Sequence, residues 1–296
     1  MKCGMAVIAL CLVNVSVQAQ DWRTAAGGRQ SFEVASVKDA GADTTMRAAN
    51  FPLTADDSYA RNGGHFSARL QLAVYIQFAY KLWLTRDQVE SMLSRLPRWV
   101  ADDYFDIQAQ AEGNPTKDQM RLMMQSLLTD RFHLTFHTES RNGKVYALSF
   151  AAPGKRGPKL IPHESGPPCD DMAGFRPDAD AAGVFPGNCG VYSMVVKPSG
   201  SRIVGARNTT PELLAMSLSF LGNLGRPVVN RTGLTGRYDF TIEFTPEAID
   251  PAAPASDSAG ATFLQAVREQ LGLKLESTEG PVATPVVDHI EKPASN

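Results

Sequence analysis

An excess of charge of either sign is the first thing missing from this sequence. Lys and Arg number 29 and Asp and Glu 31 in 296 residues, a formal net charge of −2. Without a basic face there is no electrostatic footprint for nucleic acid and no polybasic anchor for a membrane surface. Long apolar runs are missing too. The uncharged run from Met5 to Val17 is shorter than the roughly 20 residues a spanning helix needs. Histidine stands at 5 and cysteine at 4, with no His-Cys cluster at metal-ligand spacing. There is no G-x-S-x-G elbow, no P-loop and no dinucleotide glycine fingerprint, so neither a cofactor nor a resident metal is expected.

What is present begins at the N-terminus. Lys2 precedes the Met5–Val17 run, and Val17-Gln18-Ala19 gives a small-x-small pattern. That is the form of a secretory signal peptide cleaved after Ala19. A lipoprotein reading would use Cys11, but Leu10 stands where a small residue is wanted. The expectation is an exported chain, periplasmic or extracellular, with no membrane span after cleavage. Two cysteines then remain, Cys169 and Cys189, both in the irregular "PPCDDMAGFRPDADAAGVFPGNCG". In an oxidising compartment such a pair reads as a disulfide. A loop of about 20 residues closed this way is worth roughly 3 kcal/mol.

The periodicities predict an α+β chain in which one order of elements occurs twice. A leader, 20–30, precedes a first lobe, 31–152. Strands are expected over 31–38, at "HFSARL" and over Tyr104–Ala111, with a helix over 70–84. A second helix follows Thr116, whose capping box closes with Gln119, and carries Met120, Met123, Met124, Leu127 and Leu128 as its stripe. "HLTFHTES" and "KVYALSFA" read as two strands joined at Asn142-Gly143, a hairpin signal. A Pro/Gly-rich linker, 153–200, holds the two cysteines. The second lobe, 201–296, repeats the order. "SRIVGARN" is extended, and Thr210 and Pro211 open a helix. "RYDFTIEF" is a strand, "GATFLQAVREQLG" a helix ending at Gly272, and "LKLEST" and "TPVVDHIEK" two strands. Residues 246–261 form a Pro/Ala/Ser insert. Phe105-Asp106-Ile107 matches Tyr238-Asp239-Phe240, and Gln125 falls on Gln265. The expected architecture is thus two pseudo-repeat lobes joined by a disulfide-stapled loop.

Several stretches carry a family likeness: "FEVASVK", "YFDIQAQAEGNPTKDQMRLMMQSLLTDRFHLTFHTES", "VYALSFA", "GRPVVNRTGLTGRYDFTIEFTP" and "LQAVREQLGLKLESTEGPVATPVVDHIEKP". From about Phe32 to Pro293 the chain resembles the soil-associated exported protein family of unknown function. The resemblance implies export but no activity, cofactor or catalytic residue. Similar domains occur attached to membrane metallopeptidase sensors of the antirepressor type. By analogy alone that implies an extracytoplasmic sensing or interaction role. The HExxH motif of those peptidases is absent, so their activity does not carry over. One departure is "ESMLSRLPRWV", where the family tends to have a glycine-containing turn before Pro-x-Trp.

Candidates for chemistry are few. Asp106 and Asp239 occupy matching positions and could be paired carboxylates. The simpler reading is that each is buried and accepts bonds from turn amides or an arginine at its own strand. His133 and His137 are four apart on an expected strand and would share its outer face. His163 and Ser165 lie in one turn, as turn composition rather than a dyad. Trp22, Trp83, Trp99, Tyr104 and Phe105 are core residues by default, but Trp83 and Trp99 could border a groove beside the first helix. "VNRTGLTGRYDF" reads as a short strand and a glycine turn, leaving Arg226, Arg231 and Arg237 as candidate surface contacts. The expectation is a non-enzymatic extracytoplasmic module that binds a protein or small ligand. A hydrolase of unrecognised type and a structural envelope protein are the alternatives.

Overall fold

The computed structural model describes residues 22–41, 49–50, 52–57, 59, 62–166, 185–187, 189–190, 192–246 and 260–293. The signal segment, Cys169 and most of the insert lie outside the described residues. The result is a mixed α/β chain with three sheets.

The first half opens with β1 (Val34–Gly41) and β2 (His65–Gln71), followed by α1 (Leu72–Ala79), α2 (Arg86–Leu93) and the short α3 (Trp99–Asp102). Then come β3 (Tyr104–Gln110), α4 (Lys117–Phe132) and β4 (Thr135–Phe150). In β3, Phe105, Ile107 and Ala109 point one way and are buried. This is the period-2 alternation of a strand with one face in a core. β3 lies between β1 and β2, antiparallel to both. The Tyr75 hydroxyl of α1 lies 2.9 and 2.8 Å from the carbonyls of Ala68 and Phe105 and accepts the Leu70 N–H at 3.2 Å. It therefore ties α1 to the sheet. α4 starts with the expected capping box: Gln119 N–H donates to Thr116 Oγ1 at 3.2 Å and Thr116 N–H to Gln119 Oε1 at 2.8 Å. Its methionine and leucine stripe closes the core, where Phe105 and Phe132 meet edge to face at 5.1 Å. Truncating a buried Phe such as these to Ala costs about 3–5 kcal/mol.

The second half contains β5 (Leu160–Pro162), a 3₁₀ turn (His163–Ser165), β6 (Ser193–Val196), β7 (Arg202–Thr209) and α5 (Pro211–Leu221). It continues with β8 (Val228–Asn230), β9 (Tyr238–Phe244), α6 (Phe263–Leu271) and β10 (Leu273–His289). Its sheet has the order β5-β9-β7-β6, so β9 is flanked antiparallel by two neighbours, as β3 is. β5 and β6 come from the expected linker. α6 ends at Gly272 in the left-handed region, φ 70, where a Cβ would lie 2.4 Å from the Gly157 nitrogen. Only glycine meets both demands.

Two sequence expectations are corrected here. The strand pairs expected at 133–151 and 273–292 are each one continuous strand. β4 and β10 run antiparallel, with Gly143 opposite Gly280 and Asn142 opposite Pro281. A hairpin requires its two arms to pair with each other. Here each arm has a better partner on the other long strand, because both halves need a strand to cover their cores. Phe136 and Val287 pack on the first core and Leu148 and Leu273 on the second. The expected match of Gln125 with Gln265 also fails. Gln265 closes the capping box of α6 with Thr262, the place Gln119 holds in α4. Gln125 instead donates to the Ala79 carbonyl at 2.6 Å. α4 has 16 residues and α6 has 9, so the extra length of α4 displaces the match.

Ahead of β1, residues 22–25 form a helical turn. Arg23 lies over the Tyr80 ring at 5.6 Å, and Ser126 Oγ donates to Gln30 O at 2.6 Å. Segment 22–30 is thereby seated on the first half.

Candidate functional site: an apolar groove between the two halves

A cavity of about 410 Å³ opens between the α1–α2 connection and α5 with β8. Its first wall is made by chain reversal. α1 ends at Tyr80, Lys81 takes a left-handed conformation (φ 53), and the chain doubles back through Trp83. Thr85 then caps α2, with Thr85 N–H donating to Gln88 Oε1 at 2.9 Å and Gln88 N–H to Thr85 Oγ1 at 3.4 Å. Gln88 Nε2 goes on to the Ala283 carbonyl of β10 at 3.3 Å, which fixes this wall over the long strands. The second wall is α5. Leu214, Ala215 and Leu218 face the core, while Met216 and Phe220, one turn apart, face the groove. Phe220 is 74% exposed, the most exposed large apolar residue among those described. α5 stops at Gly222, where a Cβ would stand 2.3 Å from the Phe263 ring. The chain then turns through Asn223, φ 47, into Pro227 and Val228 on the floor.

Trp83 meets Tyr192 edge to face at 5.7 Å. The Tyr192 hydroxyl is 2.6 Å from Thr209 Oγ1, and burial pushes its ionisation well above the ordinary phenol range. Tyr192 is thus a neutral group that supports Trp83 from the second core. Of the expected aromatic set only Trp83 borders the groove. Trp99 and Phe105 pack on each other at 6.0 Å in the first core, and Trp22 lies beside Arg23 and Lys81.

Behind Trp83 sits a charge cluster joining the halves. Lys81 Nζ contacts Asp57 at 2.9 Å and Asp118 at 3.2 Å, and Asp57 faces Arg237 at 3.8 Å. Burial alone would raise the Asp57 carboxyl, but Lys81, with Arg121 and Arg237, outweighs it and holds it below the usual range. Beneath them Lys117 and Asp56 pair at 3.0 Å with 3% and 6% of their side chains exposed. Burial, only partly offset by Asp56, lowers the Lys117 ammonium to about 8. Fully buried Arg121 donates to the Thr54 and Asp56 carbonyls and pairs with Asp118.

The two candidate carboxylates do not meet. Asp106 sits on β3, with Arg69 of β2 at 3.1 Å. Asp239 sits on β9, in a different sheet. It accepts the Asn208 N–H at 2.8 Å, lies 2.7 Å from His163 Nδ1 and has Arg207 Nε at 3.6 Å. Each carboxylate is occupied within its own half.

His133 is not on a strand. It is the left-handed C-cap of α4, φ 49, and β4 begins at Thr135. The helix ends at Phe132 as expected, but the left-handed cap at His133 delays the strand by two residues, so only His137 lies on β4. His137 is 2.7 Å from Asp288 and 3.4 Å from Glu139; these bonds outweigh a small desolvation and raise its pKa. His133 faces Glu291 at 4.0 Å. No three His, Cys, Asp or Glu among the described residues converge as a metal site.

The arginines divide. Arg237 Nη1 donates to Asn208 O at 2.7 Å, and its Nη2 faces Asp57 across the halves. Arg226 donates to Ser277 at 3.2 Å and lies over the Tyr146 ring. Arg231 pairs its backbone N–H with Leu148 O.

Sequence reading missed Met216, Phe220 and the Arg207–Asn208 bulge. The i, i+4 pair of large apolar residues outside the α5 core stripe was the available signal for the first two. For the bulge there was none beyond the Asn itself.

No curated protein matches the chain, and no solved structure matches it. A family model described as a protein of unknown function (DUF3738) matches residues 73–290, which takes in both walls of the groove. The groove, the β5-β9-β7-β6 sheet and the paired long strands lie within the matched segment, whereas β1 and β2 precede it, and the chain belongs to that family of proteins of unknown function.

Proposed function

We propose that this protein is an exported, non-enzymatic binding module that takes an apolar group of its partner into the groove between the halves. The observation that carries this reading is the exposed Phe220 beside Met216, facing Trp83 across a cavity of about 410 Å³. Binding sites are concave and mostly apolar with a few polar groups, and this volume lies in their usual range. Hydrolysis is less well supported, because Asp106 and Asp239 are each engaged by an arginine of their own sheet. Export rests on the segment 1–19, and the periplasm or the cell exterior is the proposed location.

Two architectural elements belong to the same proposal. One is the pairing of Cys169 with Cys189, supported by Cys189 being buried and disulfide-bonded. The other is descent of the two halves from one repeated unit. Its support is the central antiparallel placement of β3 and β9, each followed by a helix with a Thr-x-x-Gln capping box and a long strand.

The groove is tested with the fluorescent probe 8-anilinonaphthalene-1-sulfonate. The expected result is saturable binding that falls at least tenfold in Phe220→Asp and Met216→Asp. Phe220 is largely exposed, so its replacement should leave the melting temperature unchanged. Dye binding indifferent to both substitutions would sink the groove as the binding site.

A further inference from the structure

Building on the groove reading, we infer that the partner is an extended polypeptide segment that adds as a strand beside β8. β8 is the terminal strand of its sheet, whose order is β10-β4-β8. Its pairing with β4 is parallel and places Tyr146 opposite Val228. Tyr146 N–H donates to Pro227 O, and Arg231 N–H donates to Leu148 O, both at 2.9 Å. Positions 227, 229 and 231 therefore face β4. In a ladder the residues between them turn their N–H and C=O to the other side. Val228 and Asn230 are those residues, and Val228 lies on the groove floor.

The groove thus offers a backbone edge next to apolar walls. An extended peptide uses both: main-chain bonds along the edge supply affinity, and alternate side chains entering pockets supply selectivity. A compact apolar ligand would use the walls and leave the edge unused.

The opposite edge of the same sheet is closed. Ala283 of β10 turns its carbonyl outward to Gln88 Nε2. By the same alternation Pro281 and Pro285 face outward, and proline has no N–H to give. Among the described residues the β8 end of this sheet meets an apolar groove while the β10 end is blunted by proline and Gln88, the arrangement expected of a strand-accepting site.

The test uses a pooled library of N-acetylated heptapeptides with Val, Leu, Phe or Thr at positions 2, 4 and 6, and the same library N-methylated at alternate residues. The expected outcome is enrichment of apolar members and slowed hydrogen exchange at the Val228 and Asn230 amides. N-methylation in one of the two alternating frames should weaken binding at least tenfold, and Phe220→Asp should abolish it. Equal binding of unmethylated and methylated peptides in both frames would overturn strand addition. Dye binding that depends on Phe220 without any peptide binding would overturn the peptide and keep the groove. Loss of both would remove the groove reading as well. A dimer of the protein that dissociates in Phe220→Asp would overturn the peptide in favour of a second copy.

Discussion

Asp106 and Asp239 each stand near the start of an inner strand, in two different sheets, and do different work. Each is on the central strand and each has an arginine on the next strand. Asp106 and Arg69 are opposite one another in regular register, and Arg69 keeps 20% of its side chain exposed. Asp239 faces a bulge. The register between β7 and β9 breaks between Ala206 and Thr209, and Asn208 flips to φ 55 so that its N–H points at the carboxylate. Arg207 is 1% exposed, and His163 from the 3₁₀ turn joins on the other side. One aspartate is thus a cross-strand ion pair. The other is a clamp that fastens a bulge, a buried arginine and the 160–166 segment to one strand. A carboxylate with two oxygens can serve more donors than one, and the second half uses that capacity to hold a segment for which the first half has no counterpart.

The largest expected effect that tests this contrast is in Asp239→Ala. Removing the acceptor takes away the carboxylate shared by Arg207, the Asn208 N–H and His163, a change that costs about 3–5 kcal/mol. Urea unfolding should show it, with hydrogen exchange accelerated over residues 160–166. A loss below that of Asp106→Ala would break the comparison.

The second effect concerns the two capping-box helices. Their first residues, Lys117 and Phe263, are both buried, but one is an ammonium. Lys117 titrates near 8 in the folded protein, against 10.5 in the unfolded chain. Between these values the unfolded state binds the extra proton, so stability should rise with pH. The charged groups facing Lys117 are Asp56, Asp57 and Arg121. Melting temperatures from pH 8 to 10 should climb for the native protein and stay flat for Lys117→Met. Above pH 10 the buried phenols of Tyr75 and Tyr192, both pushed upward, act in the opposite sense. A native profile that falls from pH 8 would show that Lys117 is not the controlling group.

A smaller loss, about 1–3 kcal/mol, is expected for Asp106→Ala, because Arg69 can turn toward water. The smallest is His163→Ala at about 1 kcal/mol. Its exchange should quicken within 160–166 alone. Spread of that effect to β7 would mean that His163, not Asp239, anchors the clamp.

Much of the secondary structure was legible locally. Thr116 with Gln119, Thr210 with Pro211 and the left-handed Gly272 set helix ends through bonds within a few residues, and alternation along 104–110 and 238–244 marked the two central strands. The structural role given to the two aspartates was also legible, since a carboxylate among apolar strand residues must find donors. The groove was legible only in part. Trp83 could be placed beside a turn, but Phe220 and Met216 lie over 130 positions away, and nothing local brings them opposite it.

By itself the sequence determined the capped helices at 117–132, 211–221 and 263–271, the alternating strands at 104–110 and 238–244, and the membership of the chain in its family. Tertiary structure alone decided that Asn142-Gly143 is straight. A hairpin signal is a local preference worth little against a ladder of hydrogen bonds, and the partners of Asn142 and Gly143 in that ladder are the distant Pro281 and Gly280. The same nonlocal pairing made the two long strands common to both cores, set the halves side by side, and placed β8 in the lining of the groove with Trp83 and Phe220.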